Sequence, residues 1–350
     1  MASVALLAYI IIAKYCDGMP LYRQASILKR YGGSITRGAM AGWLIRLSLQ
    51  LVPVLNLLKE VQLSGDYLQC DETRLQVLKE RGMEPTGDKW IWVMHGGPPD
   101  KPVVLFDYDK SRGGAVAKRL LDGFEGRYVQ SDGYAGYDAA VDTSRVTHIG
   151  CFDHARRKFV KAVKAIPKSK VKKGAPAKCV VALSKIDALY KVERQMEALD
   201  LSDDERRAYR HEHAVPRLNT LHEWLIKNEP KIEKDSLTYK AVSYTLKQWT
   251  KLIAYCDHGQ LRISNILAEN AIRPFVVGRK AWLFSDTPAG AEASALYYTL
   301  IETAKANGVD PYRYMHHLVS NIAAAETVES VEALLPWNVK DKLIDVVKTP

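Results

Sequence analysis

No C-x-x-C pair occurs among the five cysteines (Cys16, Cys70, Cys151, Cys179 and Cys256), and their number is odd. This argues against a disulfide scaffold and fits a reducing, cytosolic setting. Long apolar runs are missing as well. The uncharged start, Met1 to Ala13, falls short of the roughly 20 residues that a bilayer span takes. It also lacks a basic n-region and an A-x-A cleavage site, so it reads as a buried helix rather than a signal peptide. No internal repeat is present. Acidic residues are absent from Arg156 to Lys178, where ten basic residues stand, while the rest of the chain balances forty basic against forty acidic. The net charge of +10 is therefore a local feature that points to a polyanionic partner. At 47% hydrophobic, the 350 residues exclude disorder and can build one large or two modest cores.

Residues 1 to about 62 read as helical. Leu6, Ile10 and Ala13 share one face, Pro20 breaks the first helix after Asp17-Gly18, and Leu21 to Tyr31 forms the next. A Gly32-Gly33 turn follows, with Ser34 and Thr36 as candidate N-caps of a helix through Trp43 and Arg46. This fits a helix-turn-helix that presents Arg37 and Arg46 to DNA. It fits a plain αα-hairpin at least as well, and the pattern favours the hairpin. From Tyr67 the period shortens: Tyr67 to Leu78, Lys89 to His95 and Pro102 to Tyr108 predict three antiparallel strands. A helix over Gly113 to Leu121, a strand over Arg127 to Ser131, a helix from Tyr134 and a strand over Val146 to Gly150 follow. The expected fold class is α/β, a mixed sheet flanked by helices. Residues 151 to about 258 read as helical. Beyond them the pattern predicts a helix near Ser264 to Arg273, a strand over Arg279 to Phe284, and helices from Ala289 and Tyr312.

Asp71 falls within the first predicted strand and shares a face with Thr73 and Leu75, while Glu72 points the other way. Asp132 ends the fourth, and Gly133 after it allows close approach of backbone or ligand. Two aspartates on neighbouring strands suit hard divalent cations; spacing alone favours the plainer view that they are strand-end or turn residues. Asn265, Glu269 and Arg273 stack on one helical face beside an apolar stripe of Ile263, Leu267 and Ala271. A solvated face with one Glu269–Arg273 ion pair gives the same pattern.

Several longer motifs carry a resemblance. Asp71-Glu72-Thr73 with Val77-Leu78, Ser131-Asp132-Gly133-Tyr134-Ala135-Gly136-Tyr137, the run from Gly150 to Phe159 and the run from Asn265 to Phe275 resemble motifs of the transposases of insertion sequence 66. Gly278 to Phe284, Leu300 to Lys305 and Leu335-Pro336-Trp337 also match, in the family's order, from about residue 8 to the end. The resemblance implies a DDE transposase with an RNase H-like catalytic core, whose acidic triad is Asp71, Asp132 and Glu269. These carboxylates would hold two Mg²⁺ ions, with Mn²⁺ as a substitute, for strand cleavage at element ends and strand transfer into target DNA. No covalent protein–DNA intermediate is needed, so no Ser, Tyr or Cys nucleophile is required. By the same resemblance, residues 1–62 form a helical N-terminal region, 63–160 and 259–325 the two parts of the core, 161–258 a helical insertion and 326–350 a tail. Members of that family usually carry a further N-terminal region with a zinc-binding motif, and by the resemblance this chain begins after it. Ile266, Phe152, Asp153 and Ala281 depart from the usual pattern without touching the triad.

The resemblance further implies DNA as partner, at least a homodimer on DNA, accessory proteins of the same element, no membrane association, and a bacterial cytoplasmic location at the nucleoid. Arg112, Arg156, Arg157, Lys158, Arg273, Arg279 and Lys280 are candidate phosphate contacts, and Lys170, Lys172 and Lys173 supply salt-sensitive affinity. His154 and Asn265 are expected beside the triad. Cys151 and His154 form a C-x-x-H half-site without a second pair at zinc spacing, which argues against zinc. Asp153 is expected to cap a helix starting at His154. Asp107 and Asp109 rival the triad aspartates, but Tyr108-Asp109-Lys110 reads as a turn. Two rivals stay open at this point: an RNase H-like nuclease that does not join strands, and a catalytically silent DNA-binding protein.

Overall fold

Proline, glycine and capping hydroxyls set the N-terminal helices. The computed structural model describes residues 2–141, 145–166 and 176–344. It opens with α1 (Val4–Tyr15), α2 (Leu21–Arg30), α3 (Arg37–Gln50) and α4 (Val52–Leu63). Pro20 occupies the N-cap of α2, and Thr36 accepts from the Ala39 amide at the start of α3. Three strands follow, β1 (Tyr67–Gln76), β2 (Asp88–Gly96) and β3 (Val103–Asp109), then α5 (Gly114–Leu120), β4 (Tyr128–Gln130), α6 (Ala135–Asp138) and β5 (Thr147–Ile149). The helical stretch holds α7 (Phe152–Lys164), α8 (Lys178–Glu197), α9 (Asp203–His213), α10 (Val215–Asn228), α11 (Leu237–Lys247) and α12 (Trp249–Ile253). The chain closes with α13 (Ile266–Trp282), α14 (Pro288–Ala306), α15 (Pro311–Asn321), α16 (Val328–Glu332) and α17 (Pro336–Ile344). Strand pairing is antiparallel in one place and parallel in another, with helices around both. The fold class is thus the α/β one expected from sequence.

The chain divides into two units. The first comprises Met1–Gly126 and Leu267–Pro350. Its strands form an antiparallel meander in which Asp71 faces Val93 and Val93 faces Phe106. The core helix is α14, buried on nearly every side, as a helix apolar all round must be. Tyr297 stacks on Tyr15 with ring centroids 5.2 Å apart, and Tyr298 packs edge-on against Phe275. Gly278 of α13 has no room for a side chain, since a Cβ would lie 2.7 Å from the Tyr298 hydroxyl.

The outer edge of β3 is closed by side chains rather than by another strand. Thr303 Oγ1 accepts from the Val104 amide and donates to the Val104 carbonyl, both at 3.1 Å. Thr299 Oγ1 accepts from the Phe106 amide at 2.8 Å, and the Asn307 amide donates to the Pro102 carbonyl at 2.8 Å. Positions 299, 303 and 307 are one turn apart, so a single helix face supplies all three partners.

The second unit is Arg127–Ile266. Its parallel pair, β4 and β5, is followed by the helical excursion from α7 to α12. Arg210, 1% exposed, ties that excursion together. It pairs with both carboxylate oxygens of Glu193, at 3.0 and 2.8 Å, and donates to the carbonyls of Tyr255, His258 and Leu261. The excursion begins and ends side by side: the Phe152 amide donates to the Ile263 carbonyl at 3.0 Å.

Three expectations are corrected. Residues 279–284 form no strand; α13 continues through Pro274 to Trp282 and stops where Leu283 turns to φ +66°. Burial of Ile272, Phe275 and Gly278 favours the helix over the β-branched character of Val276 and Val277. The extended pairing comes later, where Ser285 bridges Val77. The helix expected near Ser264 begins at Ile266, so Asn265 precedes α13 rather than lying within it. Asp153 is not an N-cap: α7 starts at Phe152, two residues before the expected His154, with Cys151 as its cap residue, and Asp153 accepts from the Tyr190 hydroxyl.

Among the described residues, no single helix is long and apolar enough to cross a membrane. The pair α3 and α4, bent by 54°, matches a broken span in length and composition. Both helices bury one side in the core, through Met40, Leu44 and Leu47 and through Val54 and Leu58.

Arg210→Met leaves the Glu193 carboxylate buried without its cation and is expected to cost about 3–5 kcal/mol. Urea unfolding would measure it, and Arg210→Met/Glu193→Leu should recover part of the loss. A single-variant cost below about 1 kcal/mol would contradict the role given to Arg210.

Candidate functional site

In the first unit, the two faces of β1 have different work. Glu72 faces away from Asp71, its side chain 1% exposed, and accepts from Arg112 Nε at 2.8 Å and Nη2 at 2.5 Å. Arg112 also lies 4.8 Å from the Trp90 ring centroid, so this phosphate-contact candidate is engaged in a structural ion pair. Asp107 and Asp109 fall on the Glu72 face by register and both pair with Arg119, at 2.6 and 3.1 Å. Neither shares a face with Asp71.

The other face carries Gln69, Asp71 and Thr73, and α13 is fastened to it at both ends. Gln69, 1% exposed, accepts at Oε1 from the amides of Leu267 (2.9 Å) and Ala268 (3.3 Å). Its own Nε2 donates to the Tyr67 hydroxyl at 2.7 Å. The strand side chain thus serves amide groups that helix starts leave unsatisfied. Glu269 follows directly in the first helical turn, where the helix dipole favours a carboxylate. At the far end Arg279 donates to Thr73 Oγ1 at 3.2 Å, and burial lowers the pKa of its guanidinium. Arg273 and Lys280 are exposed on α13.

In the second unit, Asp132 lies two residues beyond the end of β4, in a turn, and its Oδ1 accepts from the Tyr134 amide at 2.8 Å. Ser131 Oγ lies 2.8 Å from His148 Nε2, and His148 Nδ1 lies 3.2 Å from Asp138, which also pairs with Lys251. Burial, with the Lys251 charge adding to it, lowers the His148 pKa to about 4, so the ring is neutral at pH 7. Although this serine, histidine and aspartate line up as a nucleophile array would, Ser131 is fully buried. The array therefore fixes the turn rather than reaching a substrate.

Tyr244 of α11 covers the same turn. Its hydroxyl would lie 2.6 Å from a Cβ at Gly133, so only glycine fits there. Burial and the Asp132 charge raise the Tyr244 pKa, which keeps the phenol neutral. Gln130, fully buried, donates to the carbonyls of Gly150 (2.9 Å) and Arg262 (2.8 Å). His154 is half-buried in the first turn of α7, with Arg157 Nη1 3.4 Å from its Nε2. Asn265 is buried just before α13.

The first unit therefore carries Asp71 and Glu269, and the second carries Asp132, His154 and Asn265. Arg156 donates to Asp187 of α8 at 2.7 Å, whereas Arg157 and Lys158 are exposed. Lys170, Lys172 and Lys173 lie outside the described residues. Sequence reasoning passed over Gln69, Gln130, His148 and Tyr244. A signal for two of them was present: Gln69-Cys70-Asp71 and Gln130-Ser131-Asp132 repeat one spacing, a glutamine two residues before the aspartate.

Comparison with known proteins agrees with the motifs. Residues 1–293 match the model of the transposase IS66 family, and residues 299–337 match the IS66 C-terminal element. Three uncharacterized proteins of Sinorhizobium fredii are similar along nearly the whole chain. Proteins y4qI and y4jD are each 31% identical over 97% of it, and y4hP is 29% identical over 96%. The chain spans 63%, 66% and 62% of these relatives' own lengths, respectively. With both family models matched in order, over residues 1–293 and 299–337, the chain belongs to the IS66 transposase family.

Proposed function

We propose that this chain is a DNA transposase of the DDE type with an RNase H-like core, in which Asp71, Asp132 and Glu269 hold two divalent cations. The observation that carries this reading is the attachment of α13 to β1. Gln69 holds the amides just before Glu269 on the strand face that also bears Asp71. Three carboxylates are a suitable donor set for Mg²⁺, which takes few protein ligands, and Mn²⁺ accepts the same oxygens. Such ions, when bound, neutralise charge on the phosphodiester and stabilise the leaving 3′-oxygen. The protein's own part is positional. The Ser131–His148 pair and Tyr244 hold the Asp132 turn, Gln69 holds the start of α13, and Arg273, Arg279 and Lys280 line α13 for phosphate contact.

The substrates are element ends and target DNA. Synapsis of two ends requires at least a dimer, accessory proteins of the element complete the assembly, and the setting is the bacterial nucleoid. The lysine run from Lys168 to Lys178 contributes salt-sensitive, sequence-independent affinity.

The test is incubation with DNA carrying the element ends and Mg²⁺, scoring nicks and joined strands. Joined products support the transposase, nicks alone a nuclease, and binding alone a silent DNA-binding protein. Asp71→Asn, Asp132→Asn and Glu269→Gln are each expected to keep the fold and lose about a thousandfold or more in strand cleavage. Metal-dependent cleavage retained by a folded variant would sink the triad. Gln69→Leu removes the acceptor for two amides and is expected to cost about 1–3 kcal/mol of stability. Faster exchange of the Leu267 and Ala268 amides would locate that loss at the start of α13.

A further inference from the structure

Helix α7 has two faces with opposite chemistry. Phe152, Ala155, Phe159 and Ala162 are buried and fix its rotation. The outward arc then presents Arg157, Lys158, Lys161 and Lys164, all exposed. Arg156 falls between the arcs and is spent on Asp187. Among the described residues, Lys158, Lys161 and Lys164 make no ion pair with a carboxylate. The Lys158 ammonium instead sits 4.3 Å from the centroid of the Tyr244 ring, and Tyr244 packs on Gly133, the residue after Asp132. The stripe therefore starts beside the Asp132 turn and runs away from it within the same unit. From Lys158 to Lys164 the helix rises about 9 Å, enough to follow about two or three phosphates along one DNA strand. A membrane-surface helix would need apolar side chains on its outward arc, and this one shows none there.

We propose that this arc of α7 is a phosphate-contacting ridge for duplex DNA that leads the strand toward the Asp132 turn, and that Arg156 has no part in it. The inference rests on the reading of the chain as a transposase and adds the path that DNA takes on the second unit.

Binding to duplex DNA in EDTA, between 50 and 200 mM salt (about the range over which phosphate contacts are lost), separates the ridge from the chemistry. For Arg157→Gln/Lys161→Gln/Lys164→Gln, the slope of log K against log salt should shrink by about 0.9 per charge removed. Arg156→Gln should leave the slope at the wild-type value. Lys161→Gln/Lys164→Gln, which spares the Arg157–His154 contact, should give two thirds of the effect, with circular dichroism verifying the fold of each variant. A folded triple variant with the wild-type slope, an equal loss from Arg156→Gln, or a wild-type chain that does not bind duplex DNA would each overturn the ridge. A wild-type chain that binds as described but does not cleave with Mg²⁺ would overturn the proposed activity and leave the ridge standing.

Discussion

One buried side-chain amide decides where Glu269 can be. Gln69 reaches from β1 to the amides of Leu267 and Ala268 in the first turn of α13. The cost of leaving those amides without partners is what makes the contact directive rather than incidental. Because strand residues alternate sides, the same face must also carry Asp71 and Thr73, and Arg279 closes the far end of α13 on Thr73. Strand and helix are thereby fixed at two points, and the helix has one rotation that keeps Phe275 and Gly278 against Tyr298.

The second unit solves a different problem, that of a long detour in the chain. Between β5 and residue 264 the backbone runs through six helices and comes back to its starting point, where Phe152 bonds Ile263 and Gln130 bonds both Gly150 and Arg262. Arg210 gathers the carbonyls of the returning segment around one guanidinium.

Much of this was legible in the sequence. Pro20, the glycine pair Gly32-Gly33 and Thr36 marked the N-terminal helices. Alternation with Gly and Pro punctuation marked the three-strand meander to within two residues at each end. What failed had physical causes. Arg279 to Phe284, with Trp282 and Phe284, has strand character locally, but tertiary burial of Phe275 and Gly278 keeps the chain helical through Trp282. The cap at Cys151 was missed because its side chain makes no capping bond. For the candidate site, the motifs named the acids, while the side chains that hold them were hidden. Tyr244 and His148 lie far in sequence from Asp132 and Ser131, so only the folded chain joins them. The two Gln-x-Asp spacings were visible, but a buried glutamine has no pattern of its own.

The threonine ladder on β3 reaches beyond local stability. An unsatisfied strand edge invites a further strand from another molecule, which is how sheets extend between copies and how many chains aggregate. Here Thr299, Thr303 and Asn307 already engage the backbone of that edge at Pro102, Val104 and Phe106. Strand addition along the Pro102–Phe106 part of β3 would have to displace these side-chain bonds first.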